Sequence, residues 1–365
     1  MHTGISIYPG LDNSPEENAR FLEQAARLGI SRVFLSLPEA TKQISATQNE
    51  AAIRGELTEI VQEARRMQME VILDATETTL DLLGIRRFTL SAFQFLGIAT
   101  LRVDMSLGAK RVAELSRNMQ GIRILLNGSI VTGKLLTSLL SAKADFTHMG
   151  ALFAFYPREG TGLSEATFVR KCAMLHKAGM DVGAFVPCHY RRRSPLRAGL
   201  PTLEMHRDVP IGLAARHLAA IGVDAIYLGD SLPSDSELES LAKVSGDRVE
   251  TRARLLTADP VQKELLGATY TARLDEARDA VRAQESRRLL RERGEVIEPM
   301  NQKVRPYGAI TLDNKEYGTY MGELQIMKRP QPADSRVNVA AVIPEEEQFL
   351  INYIIPGKKF SFDLY

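Results

Sequence analysis

Cysteine is nearly missing from this chain: Cys172 and Cys188 are the two in 365 residues. Two are too few for a disulfide framework, and their spacing matches no metal motif. A reducing compartment suits them. Net charge is nearly missing too, at +1 from 46 basic and 45 acidic residues. The overall balance therefore gives no support to a nucleic-acid partner, and only local clusters carry information. No apolar run reaches the roughly 18 residues needed to cross a bilayer. The opening MHTGISIYPG enters a strand at once, without the basic-then-apolar signal of a secretory leader. A soluble cytoplasmic protein is expected. The glycine-rich dinucleotide turn is absent as well: Tyr8-Pro9-Gly10-Leu11 stands where GxGxxG would follow the first strand.

What is present is alternation. Eight apolar, strand-like runs end at Tyr8, Leu37, Asp74, Asp104, Asn127, Gly150, Pro187 and Asp230, and each leads into a helix-like segment. Ser14-Pro15-Glu16-Glu17 is one such helix start, with Ser14 as N-cap and Pro15 in the first turn. Eight such units in about 245 residues have the count and size of a parallel (β/α)8, TIM-like barrel. Apolar runs of this kind are typical of strands buried on both faces. A doubly wound open sheet is the runner-up. Residues 1–245 are thus assigned to a barrel, the catalytic domain. Residues 246–365 have a different grammar of short strands and turns and form a small β-rich domain. Within it, 349–355 reads as a strand and 275–293 as a helix.

In a parallel barrel the chemistry sits at the C-terminal strand ends. Those ends carry Tyr8, Ser36, Asp74, Asp104, Asn127, His148, Asp230 and the loop His189–Arg207, which holds five arginines and Glu204. Asp74, Asp104, Glu204 and Asp230 are costly to bury unless paired or used, although an N-cap role accounts for Asp74 well. No lysine sits at a strand end for a Schiff base, and no Gly-x-Ser-x-Gly elbow is present. Histidines are too scattered for a metal motif, so no metal and no cofactor are assigned. Paired carboxylates without a cofactor fit glycoside hydrolysis, with arginines holding an anionic group such as a phosphate. Phe155–Ser164 adds Arg158 and a helix N-terminus as a second anion site.

The combination resembles a family that joins an N-terminal β/α barrel to a C-terminal cyclophilin-like β-barrel domain and is linked to 6-phospho-N-acetylmuramidase activity. The resemblance is carried by Gly4–Tyr8, Arg32–Leu37, Leu101–Asp104, Leu126–Ser129, Phe155-Tyr156-Pro157-Arg158 with Thr161–Ser164, Gly199–Glu204 with His206-Arg207, Gly229-Asp230-Ser231, and Asp313-Asn314 with Tyr317, Tyr320 and Gly322–Ile326. It covers nearly the whole chain. It implies an intracellular hydrolase that cleaves a 6-phosphorylated amino-sugar disaccharide in cell-wall recycling. The residues that carry the chemistry are assigned as Asp104 with Glu204 or Asp230. Substrate binding is assigned to Tyr8, Ser36, Asp74, Asn127, Tyr156, Arg158, Thr161, His206, Arg207, Tyr320 and Glu323. Arg191, Arg192 and Arg193 match no motif and read as a solvated approach. Members of the family usually carry His-Asn where this chain has Phe153 and Ala154. Two alternatives stand beside the glycosidase. One is a metal-dependent lyase or isomerase using Asp74, Asp104 and His148; the other is a non-catalytic phosphosugar binder. The partner expected is the phosphorylated amino sugar, with no nucleic acid and no membrane, and a homodimer is compatible.

Overall fold

The structure, a computed structural model, describes residues 1–37, 50–85, 88–103 and 107–365. It divides into two compact units: Met1–Leu218 with Val223–Val244, and Ala219–Gly222 with Ser245–Tyr365.

The first unit is a closed barrel of eight parallel strands in sequential order: β1 (His2–Ile7), β2 (Arg32–Leu35), β3 (Glu70–Asp74), β4 (Thr100–Val103), β5 (Arg123–Asn127), β6 (Met149–Leu152), β7 (Asp181–Val186) and β8 (Ala225–Leu228). The helix starts are chemically explicit. Ser14 accepts from the Glu17 backbone N–H while the Glu17 carboxylate accepts from the Ser14 N–H, a reciprocal capping box at the start of α1 (Pro15–Arg27).

Strand periodicity sorts the barrel interior into layers. Phe34, Ile72, Leu125, Leu152, Phe185, Ala225 and Tyr227 form the apolar middle, with Phe155 packed against it. Below lies an ionic layer at the N-terminal ends, where Arg32 pairs with Glu70 at 2.8 Å and Arg123 with Asp181 at 2.5 Å. Two residues beyond Phe34, Ile72 and Leu125, towards the C-terminal ends, stand Ser36, Asp74 and Asn127. Asp74 lies in register with Arg102 of β4. The apolar core is therefore capped by a polar ring on the face where barrel chemistry is done.

The sixth strand corrects the sequence reading. Phe146–His148 is a single 3-10 turn, and β6 begins at Met149. His148 thus precedes β6 and lies at the N-terminal end of the barrel, exposed and 3.4 Å from the Asp145 carboxylate.

The second unit is a seven-stranded sheet in the order β10-β15-β9-β14-β12-β13-β11: β9 (Arg248–Leu255), β10 (Tyr270–Thr271), β11 (Ala280–Arg282), β12 (Ala309–Asp313), β13 (Leu324–Met327), β14 (Val337–Val342) and β15 (Lys359–Leu364). Two segments differ from expectation. Residues 275–293 contain β11 and only a short helix, Ser286–Arg293. Glu345–Tyr353 is 3-10 helical where a strand was expected from 349. In both, apolar residues sit at irregular spacing, so neither period dominates.

Candidate functional site

The polar ring begins with Asp74. Its carboxylate accepts from the Ser36 hydroxyl at 3.1 Å and from Arg102 Nη1 at 2.9 Å. Asp74 is 8 % exposed and the Arg102 side chain 17 %, so the pair is largely shielded from water. Arg102 Nε is buried and has no acceptor among the described residues. On β5, the Asn127 side-chain oxygen accepts from the Ser129 N–H, and the Ser129 hydroxyl accepts from the Ala154 N–H. These bonds hold the ends of β5 and β6 together.

Tyr8 follows β1 and is buried. Its hydroxyl donates to the Gly229 carbonyl at 2.5 Å, and burial pushes its pKa up to about 12. Asp230 follows β8 and is fully buried. One oxygen accepts from the Arg193 N–H at 2.9 Å; the other accepts from the N–H groups of Cys188 at 3.1 Å and Leu200 at 3.2 Å. Burial raises the pKa of this carboxyl, and the three N–H donors oppose that rise. Asp230 is therefore the peg around which the β7–α loop winds. Gly229 permits the approach, since a Cβ there would lie 2.6 Å from the Leu200 carbonyl oxygen.

Within that loop the three consecutive arginines separate. Arg191 bonds Asn13 and Glu17 at 3.0 and 2.9 Å. Arg192 bonds Asp208 at 3.0 Å and the Arg207 carbonyl at 2.9 Å. Arg193 turns inward. It is 8 % exposed, and its guanidinium carbon lies 4.7 Å from the ring centres of both Tyr8 and Phe155.

Glu204, His206 and Arg207 occupy a different environment. Glu204 accepts from the Gly160 and Gly162 N–H groups at 2.8 and 2.6 Å and from Arg207 Nε and Nη2, both at 2.7 Å. The Arg207 guanidinium, foremost, and the two glycine N–H groups hold its pKa down at about 2. Arg207 also donates to the carbonyls of Tyr156, Arg158, Ala198 and Gly199. The Gly160 and Gly162 N–H groups of this turn are thus occupied by a carboxylate of the protein itself, Glu204. Thr161 donates to the Arg158 carbonyl, Arg158 is exposed, and Tyr156 is half-buried. His206 is buried with its Nε2 2.9 Å from His217 Nδ1. Tyr320 and Glu323 belong to the second unit. There, buried Glu323 pairs with Arg282 at 2.6 Å, and Arg287 lies over the exposed Tyr320 ring. Asp104 lies outside the described residues.

The structure therefore brings Ser36 and Asp74 together, and Glu204 with Arg207, Tyr156, Arg158 and Thr161. It gathers Tyr8 and Asp230 about Arg193. Arg102 and Arg193 were missed. An arginine inside the apolar run Thr100-Leu101-Arg102-Val103 was the available signal for the first.

Sequence profiles of the 6-phospho-N-acetylmuramidase N-terminal and C-terminal regions match residues 3–243 and 251–363. The chain belongs to the 6-phospho-N-acetylmuramidase family. Two solved structures are similar over their whole length. An uncharacterized protein from B. cereus shares 29% identity at a TM-score of 0.85, covering 99% of each chain. A conserved protein of unknown function from Enterococcus faecalis shares 29% identity at a TM-score of 0.70, covering 100% of this chain and 96% of that one. No functionally curated protein matches the chain. In this muramidase-family barrel, Phe153 is fully buried with its ring 4.6 Å from Phe168 of the helix after β6, and it lies against Gly128. Phe153 thus packs in the layer between barrel and helices.

Proposed function

We propose that this protein hydrolyses a 6-phosphorylated amino-sugar disaccharide, 6-phospho-N-acetylmuramic acid–N-acetylglucosamine, as an intracellular step of cell-wall recycling. The observation that carries this reading is the ring Ser36–Asp74–Arg102–Asn127 lying over a closed apolar core, in a chain whose two halves both match the family. A carboxylate beside fixed donors can act as acid, base or orienting group at an anomeric centre. Asp74 is the candidate carboxylate of this ring, and Asp104, which lies outside the described residues, is the second by its sequence position. In this reading Glu204 and Asp230 serve the site through the backbone they hold, since four and three protein donors already fill their oxygens, against two on Asp74. The metal-dependent alternative loses its histidine, because His148 lies at the opposite end of the barrel.

The test is hydrolysis of the phosphorylated disaccharide by the wild type and by Asp74→Asn and Asp104→Asn. We expect product release that is unaffected by a chelator, and a loss of at least about a hundredfold in at least one variant with binding retained. Tight binding without turnover by the wild type would favour a phosphosugar-binding protein instead. Among the described residues no helix is long and apolar enough to cross a membrane.

A further inference from the structure

We propose that Arg193 is the residue that holds an oxyanion of the substrate over the barrel core. The inference rests on the reading above for its substrate but on separate observations for its site.

The placement follows from the strand order. Tyr8 follows β1 and Phe155 follows β6, and β7 and β8 lie between these two strands. A guanidinium 4.7 Å from both ring centres spans the barrel mouth above β7 and β8. Phe155 in turn packs on Phe185 of the apolar core at 5.1 Å. Arg193 therefore stands on top of the core, and its backbone is pinned from behind by Asp230.

Among the described residues no carboxylate matches this charge. Arg191 and Arg192 each have a carboxylate partner, and Arg102 has Asp74. Among the described residues no carboxylate pairs with the Arg193 guanidinium, and its buried Nε has no acceptor. Burying a charged donor without an acceptor is unfavourable, and stacking compensates only in part. The guanidinium carbon lies over two aromatic rings and its charge bears on the Tyr8 hydroxyl, while no acceptor among the described residues takes its buried Nε. A guanidinium without a carboxylate partner can bind a phosphate or carboxylate bidentately, and lysine cannot reproduce that fork. The substrate offers two such groups, the 6-phosphate and the lactyl carboxylate.

The test uses the full chain and two variants. Arg193→Met keeps an unbranched stem between the rings; Arg193→Lys keeps the charge but not the fork. Thermal unfolding establishes that each is folded. The wild type is expected to bind inorganic phosphate or lactate in calorimetric titration, and both variants to bind the same anion about 10–100-fold more weakly, the loss of a charged bidentate contact. Identical binding of both anions by wild type and variants overturns the proposal whether or not any substrate is turned over. Turnover then identifies the group. With the phosphorylated muramyl disaccharide, kcat/KM should fall by about 10–100-fold in both variants. A fall confined to substrates with the phosphate assigns Arg193 to the phosphate, and one confined to substrates with the lactyl group assigns it to the carboxylate. An equal fall on a disaccharide lacking both groups overturns the assignment. Absence of wild-type turnover with anion binding intact would count against the glycosidase reading and leave the Arg193 site standing.

Discussion

Glu204→Gln separates a structural carboxylate from a catalytic one. Each oxygen of Glu204 accepts one glycine N–H and one guanidinium N–H: Gly160 and Arg207 Nε on one, Gly162 and Arg207 Nη2 on the other. Glutamine has nearly the same shape but one amide nitrogen. In either orientation that nitrogen meets one glycine N–H and one guanidinium N–H, so two donor–donor contacts replace two hydrogen bonds. An orphaned N–H costs about 1–3 kcal/mol when buried and less where, as at Gly160, it is exposed; weakening a charge-assisted pair adds a similar amount. Because the Glu204 side chain is 32% exposed, water can relieve part of this. The net cost is placed at about 2–4 kcal/mol. For a unit of this size that lowers Tm by about 4–16 °C. The assay pairs thermal unfolding with hydrolysis of the phosphorylated disaccharide. A Tm within about 1 °C of wild type, together with a hundredfold loss of turnover, would refute the bracing role and return Glu204 to the chemistry.

Three further outcomes are expected. Burial lowers the His206 pKa to about 3 and that of His217 to about 4, while the ordinary value is 6.5. The unfolded chain therefore binds more protons below pH 6.5, and stability is lost as pH falls from there towards 4. At pH 5 the cost is up to about 2 kcal/mol for each histidine; denaturant midpoints between pH 7.5 and 5 measure it, and a pH-independent midpoint contradicts it. Asp313 has the opposite sign. Burial first, and then Glu323, raise its pKa to about 7, so its contribution is complete below 3.8 and is lost as pH rises through 7. Asp313→Asn should match wild type near pH 4 and exceed it by about 2–4 kcal/mol at pH 8; parallel curves would refute this. Gly229→Ala should destabilise the barrel strongly, because the new methyl group would lie 2.6 Å from the Leu200 carbonyl oxygen, and backbone cannot swing aside as a side chain can. Calorimetry would refute it by giving a wild-type Tm.

The barrel was legible because strands buried on both faces leave continuous apolar runs, and helices with Ser14-type caps leave explicit starts. Where a run was contaminated, the reading slipped. Phe146-Thr147-His148 looked like strand, yet Asp145 caps that turn by accepting from the Thr147 N–H, and β6 starts at the next residue. The slip moved His148 from one end of the barrel to the other. Carboxylates were easy to see but not their partners. Glu204 and Asp230 are filled by backbone N–H groups from residues up to 44 positions away, and such long-range pairing leaves no local pattern.

The arginine triplet shows the same limit from the other side. By composition Arg191, Arg192 and Arg193 are equivalent, and a run of like charge is usually a solvated face. Their fates differ because of residues elsewhere in the chain. Glu17 captures the first and Asp208 the second. Asp230 fixes the backbone of the third, and Tyr8 and Phe155 provide its walls. Of the three, two are neutralised by carboxylates, and Arg193 is the one left without a carboxylate among the described residues. A triplet that reads as a diffuse basic patch is, in the fold, two braces and one inward guanidinium. It follows that neutralising Arg191 or Arg192 should cost stability by loosening the loop, whereas neutralising Arg193 should cost anion affinity. A change at Arg193 that lowered Tm as much as one at Arg191, with phosphate and lactate binding intact, would mean that all three are braces.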